Sequence, residues 1–168
     1  EKEVNDAIKA SLEAHEAWST MPWEARAAIF LKASELLKGE YRAKINASTM
    51  INQSKTCHQA EIDSACELID FWRFNVQYAR EIYEDLQPPV SPSSMWNSSE
   101  IRPLEGFVFS VTPFNFSSIA ANLPSSAAIM GNTGVWKPSR NSYLSNYFLM
   151  RLMMDAGLPD GVINFIPG

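Results

Sequence analysis

The chain has 168 residues, enough for one domain of ordinary size or a small domain plus part of another. Apolar residues make up 46% and charged residues 20%, which excludes a disordered or fibrous polypeptide. With 14 basic residues, scattered along the chain, against 19 acidic ones, the net charge is -5, and nothing marks a nucleic-acid or anionic-membrane partner.

The first residue is Glu1, with no basic n-region or apolar h-region behind it. The chain is therefore expected to begin inside a longer polypeptide, with any targeting segment out of view. No apolar run approaches the ~20 residues of a membrane-spanning helix. Cys57 and Cys66 fall on one predicted helix at a spacing that suits neither CxxC nor an intrahelical disulfide. They read as small buried hydrophobes in a reducing compartment, and a bacterial cytoplasm or a mitochondrial matrix both fit.

The first half predicts helices. Val4, Ile8, Leu12 and His15 follow a helical spacing ahead of Trp18. Thr20 and Pro22 mark a fresh start and Gly39 an end, with Ala25, Ile29, Ala33 and Leu36 as the apolar stripe between them. A shorter helix is predicted over Tyr41 to Ile51. A long one follows, from about Thr56 to Leu86, with Ile62, Cys66 or Ala65, Ile69, Trp72, Val76, Ala79, Tyr83 and Leu86 on one face. Glu67, Phe71, Phe74 and Tyr78 share another face. An acidic residue among aromatics is either a solvated rim group or a buried site group.

Gln87 to Pro103, with Pro88, Pro89, Pro92 and Pro103 and several serines, reads as a connection holding a short edge strand around Met95 to Ile101. Beyond it the pattern alternates. Gly106 to Thr112, Thr133 to Lys137 and Val162 to Ile166 read as strands. Ser117 to Met130 and Ser142 to Ala156 read as helices, the second closed by Gly157. Connections of this length predict an α/β fold: an N-terminal helical layer followed by a parallel, doubly wound βαβαβ unit. Ligands bind such sheets where loops leave the carboxyl ends of strands, here Thr112–Phe116 and Lys137–Arg140.

Pro113 cannot donate to a ladder and so ends the first strand. Asn115 then falls near a helix N-terminus, where its amide either caps the helix or projects toward a ligand, as a developing oxyanion requires. Lys137, beside Ser139, is either a solvated strand end or a cation for ribose hydroxyls or a phosphate. The chain lacks GxGxxG and GxxxxGK[ST], so neither the usual dinucleotide fingerprint nor a P-loop supports nucleotide binding; His15 and His58 have no metal-ligand spacing, so no metal site is expected.

Taken together, TPFNF (112–116), MGNTGVWKPS (130–139) and AGLPDGVINFIPG (156–168) resemble consecutive landmarks of the aldehyde dehydrogenase superfamily. QAEIDSACELIDFWRFNVQYA (59–79), with AIFLKASELL and LEGFVFSVTPFNF, resembles its pyrroline-5-carboxylate dehydrogenase branch. The resemblance covers nearly the whole chain, and four motifs in the right order are more specific than any one.

It implies oxidation of L-glutamate γ-semialdehyde to glutamate: a cysteine thiolate attacks the aldehyde, hydride passes to NAD, and water releases the acid. Within that scheme Asn115 would donate to the thiohemiacetal oxyanion and Phe116 would pack on the substrate's chain. Thr112 would face the cofactor through its backbone, Lys137 would hold the adenosine ribose with Ser139 beside it, and Glu67 would be a substrate-side carboxylate. Residues 1–86 would pack on the cofactor domain, 87–103 would link, and 104–168 would form the first half of an NAD-binding Rossmann-like domain.

Arg140 stands where the family often has an acidic residue, so NADP becomes possible beside NAD, and Gly134 stands where a β-branched residue is usual. The nucleophile, general base and nicotinamide loop are expected beyond Gly168, neither Cys57 nor Cys66 fits the nucleophile's motif, and 1–168 alone is expected to be inactive. The parent enzyme is expected to be a homo-oligomer without a membrane or nucleic-acid partner. Another semialdehyde substrate, or a non-catalytic nucleotide-binding or interaction module, are the competing readings.

Overall fold

The structure is a computed structural model describing residues 1–168. Its elements in chain order are α1 (Lys2–Thr20), α2 (Trp23–Lys38), α3 (Arg42–Gln53), α4 (Cys57–Ala60), α5 (Glu67–Arg80), β1 (Val108–Val111), α6 (Ser117–Ile129), β2 (Gly134–Lys137), α7 (Tyr143–Ala156) and β3 (Ile163–Phe165). Thr56 starts α4 with a reciprocal capping box, its hydroxyl accepting from the Gln59 N–H while the Gln59 side chain accepts from the Thr56 N–H. A π-helical turn, Glu61–Cys66, joins α4 to α5 without a break, and a second, Glu81–Asp85, ends the rod.

The three strands are parallel in the order β1-β2-β3, as the alternating pattern predicts. Right-handed crossovers in an order that runs one way put α6 and α7 on a single face. The expected double winding is therefore not made by the crossovers; α1 covers the other face, packing on β2 and β3. Period-two alternation divides the side chains accordingly. Trp136 is fully buried on the α6 side, and Val135 sits with Val4, Ile8 and Phe109 on the α1 side. One core spans both halves of the chain, from Trp18, Phe30, Leu37, Leu68 and Trp72 to Trp136, Leu149 and Val162.

Two helix stripes differ from expectation. In α2 the buried apolar residues are Ala27, Phe30, Ala33 and Leu37, while Ala25 is exposed and Ile29 and Leu36 are half-buried, because α2 packs against both α5 and α7. Buried Arg26 adds cross-links, donating to the Ile129 carbonyl at 3.1 Å and to Tyr83 Oη at 3.0 Å. Ahead of α5 the buried positions are Ala60, Ser64 and Ala65, and Ile62 is exposed, because i→i+5 turns shift the phase of a 3.6-residue pattern. The span Met95 to Ile101 forms no strand. It runs exposed with no partner strand beside it, and its flanking prolines have no N–H to give.

Gly134 is explained by close approach: a Cβ there would lie 3.0 Å from the Val108 carbonyl oxygen of the adjoining strand.

Candidate functional site

The loops after β1 and β2 leave the sheet side by side. Val111 pairs with Lys137, and the Thr112 N–H continues the ladder by donating to the Lys137 carbonyl at 3.2 Å. Inside the sheet Trp136 Nε1 donates to Thr112 Oγ1 at 2.9 Å, so the Thr112 side chain is committed to the core. The loop Pro113–Phe116 then turns into α6.

Phe116, with φ -134 and ψ 113, occupies the N-cap position of α6, and no side chain caps that helix. The capping role considered for Asn115 is thus ruled out: the cap position lies one residue later. Asn115 is exposed and its side-chain amide forms no hydrogen bond within the chain, so donor and acceptor both remain free for a ligand.

The start of α6 is anchored from beneath by hydroxyls. Ser117 Oγ takes a hydrogen bond from Gln53 Nε2 at 2.9 Å and meets Ser145 Oγ at 3.0 Å and Thr49 Oγ1 at 3.3 Å. Sequence reasoning missed a second anchor, Lys55. Ser54 adopts the left-handed conformation, φ 51, at the end of α3 and turns the chain so that Lys55 lies under the loop. Its Nζ lies 2.7 Å from Asp63 Oδ2, donates to the Asn115 carbonyl and stands 4.4 Å from the centre of the Phe116 ring. No local pattern could have found it, since a lone lysine between helices carries no spacing relation to residues sixty positions away.

Lys137 ends β2 half-buried and has no carboxylate partner; the only hydrogen bond of Nζ goes to the neighbouring Pro138 carbonyl, at 3.4 Å. The Ser139 hydroxyl is free, while its carbonyl accepts from Ser142 N and Oγ at 3.1 and 3.2 Å to shape the following turn. Arg140 is exposed and makes no ion pair. An unneutralised ammonium with a free hydroxyl at a strand's carboxyl end is a donor set that fits ribose hydroxyls or a phosphate.

Glu67 is half-buried at the α6 start, where its carboxylate accepts from Ser118 Oγ. A carboxylate there also complements the positive end of the α6 dipole. Phe71, one turn further along α5, is half-buried, whereas Phe74 and Tyr78 are exposed. Glu67 forms no hydrogen bond to Asn115 or Phe116.

One helical turn earlier the π turn gathers Arg42, Asn46, Glu61, Ser64 and Cys66. Arg42 and Asn46 donate to the Glu61 carboxylate, and the Arg42 guanidinium holds it below the usual carboxylate range. Burial first, then Glu61, pushes the Cys66 thiol up, which keeps it protonated and unsuited to act as a nucleophile. Because the folded Glu61 titrates lower than the unfolded one, its stabilisation is present above the ordinary carboxylate value, about 4.3. It is lost as pH falls through the depressed value. Urea midpoints should therefore drop more steeply on acidification in wild type than in Glu61→Gln; parallel curves would show that the pair contributes nothing.

No group of three or more His, Cys, Asp or Glu side chains is placed to hold a metal ion. No helix is long and apolar enough to cross a membrane.

The free amide and the unpaired lysine thus stand at adjoining strand ends of one parallel sheet. The sequence profile of the aldehyde dehydrogenase family matches residues 1–168, and the chain belongs to that family. It is 52% identical over 165 residues to the delta-1-pyrroline-5-carboxylate dehydrogenase of Agaricus bisporus, covering 98% of this chain and 30% of that protein. To the human mitochondrial delta-1-pyrroline-5-carboxylate dehydrogenase it is 48% identical, covering 98% and 29%. The structure of the Mycobacterium tuberculosis delta-pyrroline-5-carboxylate dehydrogenase bound with NAD superposes with a TM-score of 0.94 at 54% identity, over 96% of this chain and 30% of that one. The chain thus spans about 30% of the length of each of these three relatives.

Proposed function

We propose that the complete polypeptide carrying this chain oxidises L-glutamate γ-semialdehyde, the open form of pyrroline-5-carboxylate, to glutamate with NAD. The observation that carries this reading is the free side-chain amide of Asn115, held at the carboxyl end of β1 beside the loop that bears Lys137. The names of the relatives supply the substrate.

When bound, NAD supplies the hydride acceptor. This chain's own residues bind and orient. Lys137 and Ser139 would hold the adenosine ribose, and the Thr112 backbone would face the cofactor, its side chain being committed to Trp136 and its N–H to the Lys137 carbonyl. Asn115 donates its N–H to the oxygen of the aldehyde carbon as that oxygen gains charge, which favours the charged state over the neutral carbonyl. Phe116 packs on the aliphatic part of the substrate, and Glu67 lies on the substrate side, oriented by Ser118.

Two attributes belong to the same proposal. The enzyme is a homo-oligomer, a role for which exposed Met95 and Trp96 on the 87–103 connection are available. Its compartment is the mitochondrial matrix if the chain is eukaryotic, a reading supported by the word mitochondrial in the names of the human and Dictyostelium relatives, or the cytoplasm if bacterial.

The test is an assay of the complete polypeptide with glutamate semialdehyde and NAD, following formation of the reduced nicotinamide. Turnover well above that with simple aliphatic aldehydes is expected, and equal or greater turnover of another semialdehyde would refute the substrate assignment. The same assay with NADP reports on Arg140.

A further inference from the structure

The oxyanion donor proposed above sits on an exposed four-residue loop, yet such a donor works only if its position is fixed before charge develops. Something must hold the loop. Ser117 anchors the helix behind it, but no hydrogen bond from that hydroxyl network reaches Pro113–Phe116. The side chain that does reach it is Lys55.

Three contacts converge on one ammonium. Nζ donates to the Asn115 backbone carbonyl, lies 4.4 Å from the centre of the Phe116 ring and pairs with Asp63 at 2.7 Å. Both ionic side chains are largely withdrawn from water, at 13% and 20% exposure, so solvent weakens the pair less than it would at the surface. Lys55 owes its place to the left-handed Ser54, and Asp63 owes its place to the π turn. Two irregular backbone features, each with a cost in conformational energy, thus aim opposite charges at the same spot beneath the loop.

We propose that Lys55, held by Asp63, is a positioning residue that clamps Asn115 and Phe116 in the geometry the reaction needs. The ammonium touches neither the oxyanion nor the aldehyde carbon. It fixes the peptide whose side chain reaches them, and the ring that packs on the substrate. The proposal rests on the functional reading given above.

The experiment compares Lys55→Met, Lys55→Arg, Asn115→Ala and the double variant Lys55→Met/Asn115→Ala in the complete polypeptide. Lys55→Met should lower kcat roughly ten- to a hundredfold, the cost of a misplaced catalytic group, while leaving KM for NAD unchanged. Lys55→Arg, which keeps the cation, should recover most of the rate. In the double variant the loss in kcat should fall well short of the product of the two single losses, because Lys55 acts largely through Asn115. Hydrogen–deuterium exchange over residues 112–118 of the cofactor-free protein should quicken in Lys55→Met and not in Lys55→Arg.

Wild-type kcat in Lys55→Met, losses that multiply in the double variant, or unchanged exchange would each overturn the clamp. If Lys55→Met is insoluble, Asp63→Asn carries the same comparisons, with the same pattern of kcat loss and faster exchange expected. An inactive wild type, or an Asn115→Ala variant as active as wild type, removes the functional reading and this proposal with it. Full sensitivity to Asn115→Ala without sensitivity at Lys55 removes the clamp alone.

Discussion

Replacing Asn115 by alanine in the complete polypeptide should lower kcat for glutamate semialdehyde by about 10²–10³-fold, the usual cost of one oxyanion donor. The same change should leave the melting temperature nearly untouched. Both halves follow from the site. The Asn115 side chain is exposed and bonds to nothing in the chain, so its removal orphans no partner, and a surface change of that kind costs about 0.5 kcal/mol or less. Its backbone carbonyl, which Lys55 does use, survives in alanine. A protein in which Asn115 merely capped α6 would behave the opposite way, losing about 1 kcal/mol of stability and little rate. Asn115→Asp sharpens the contrast. It keeps the shape but offers only acceptors at neutral pH, so it should be at least as inactive as alanine. Equal kcat in wild type and Asn115→Ala would remove the oxyanion role.

The placement of that amide was legible because it depends on short-range facts. A β-branched, aromatic run halted by Pro113 ends a strand, and a strand followed by a helix in a parallel sheet puts the joining loop at the ligand-binding edge. Lys137 was legible for the same reason. What stayed hidden depends on contacts far apart in sequence or on irregular backbone. The π turn at Glu61–Cys66 has no periodic signature, so a 3.6-residue reading carried the stripe through Ile62 while the buried residues are Ala60, Ser64 and Ala65. The same turn aims Asp63 at Lys55, and neither residue drew notice in a linear reading. Arg26 drew no notice in a linear reading either, yet it is buried and bonded to carbonyls of two other segments. Charged residues are rarely buried unless paired, and here carbonyls supply the pairing that sequence cannot display.

Gly161→Ala should be the most damaging of the glycine-to-alanine changes, costing roughly 2–5 kcal/mol. The backbone there has φ +84, which a residue with a Cβ adopts at a cost of about 1–2 kcal/mol. A Cβ would also lie 2.7 Å from the Ala10 carbonyl oxygen and 2.9 Å from Ala14 Cβ of α1, an overpacking worth roughly 1–3 kcal/mol more. Ala14→Gly should rescue only part of the loss, because the nearer obstacle is backbone that no substitution removes. Gly157 separates the two contributions. It also has positive φ, +110, but open space where the Cβ would go, so Gly157→Ala carries the conformational cost alone. Urea unfolding of the two variants should therefore rank Gly161→Ala well below Gly157→Ala, and equal losses would show that α1 yields freely. The consequence extends to the site. Gly161 is where the turn before β3 meets α1, and α1 covers the sheet face that alternation shares between Val135 and Lys137. A methyl group that lifts α1 from that face should weaken NAD binding as well as stability, although it touches neither Lys137 nor Ser139.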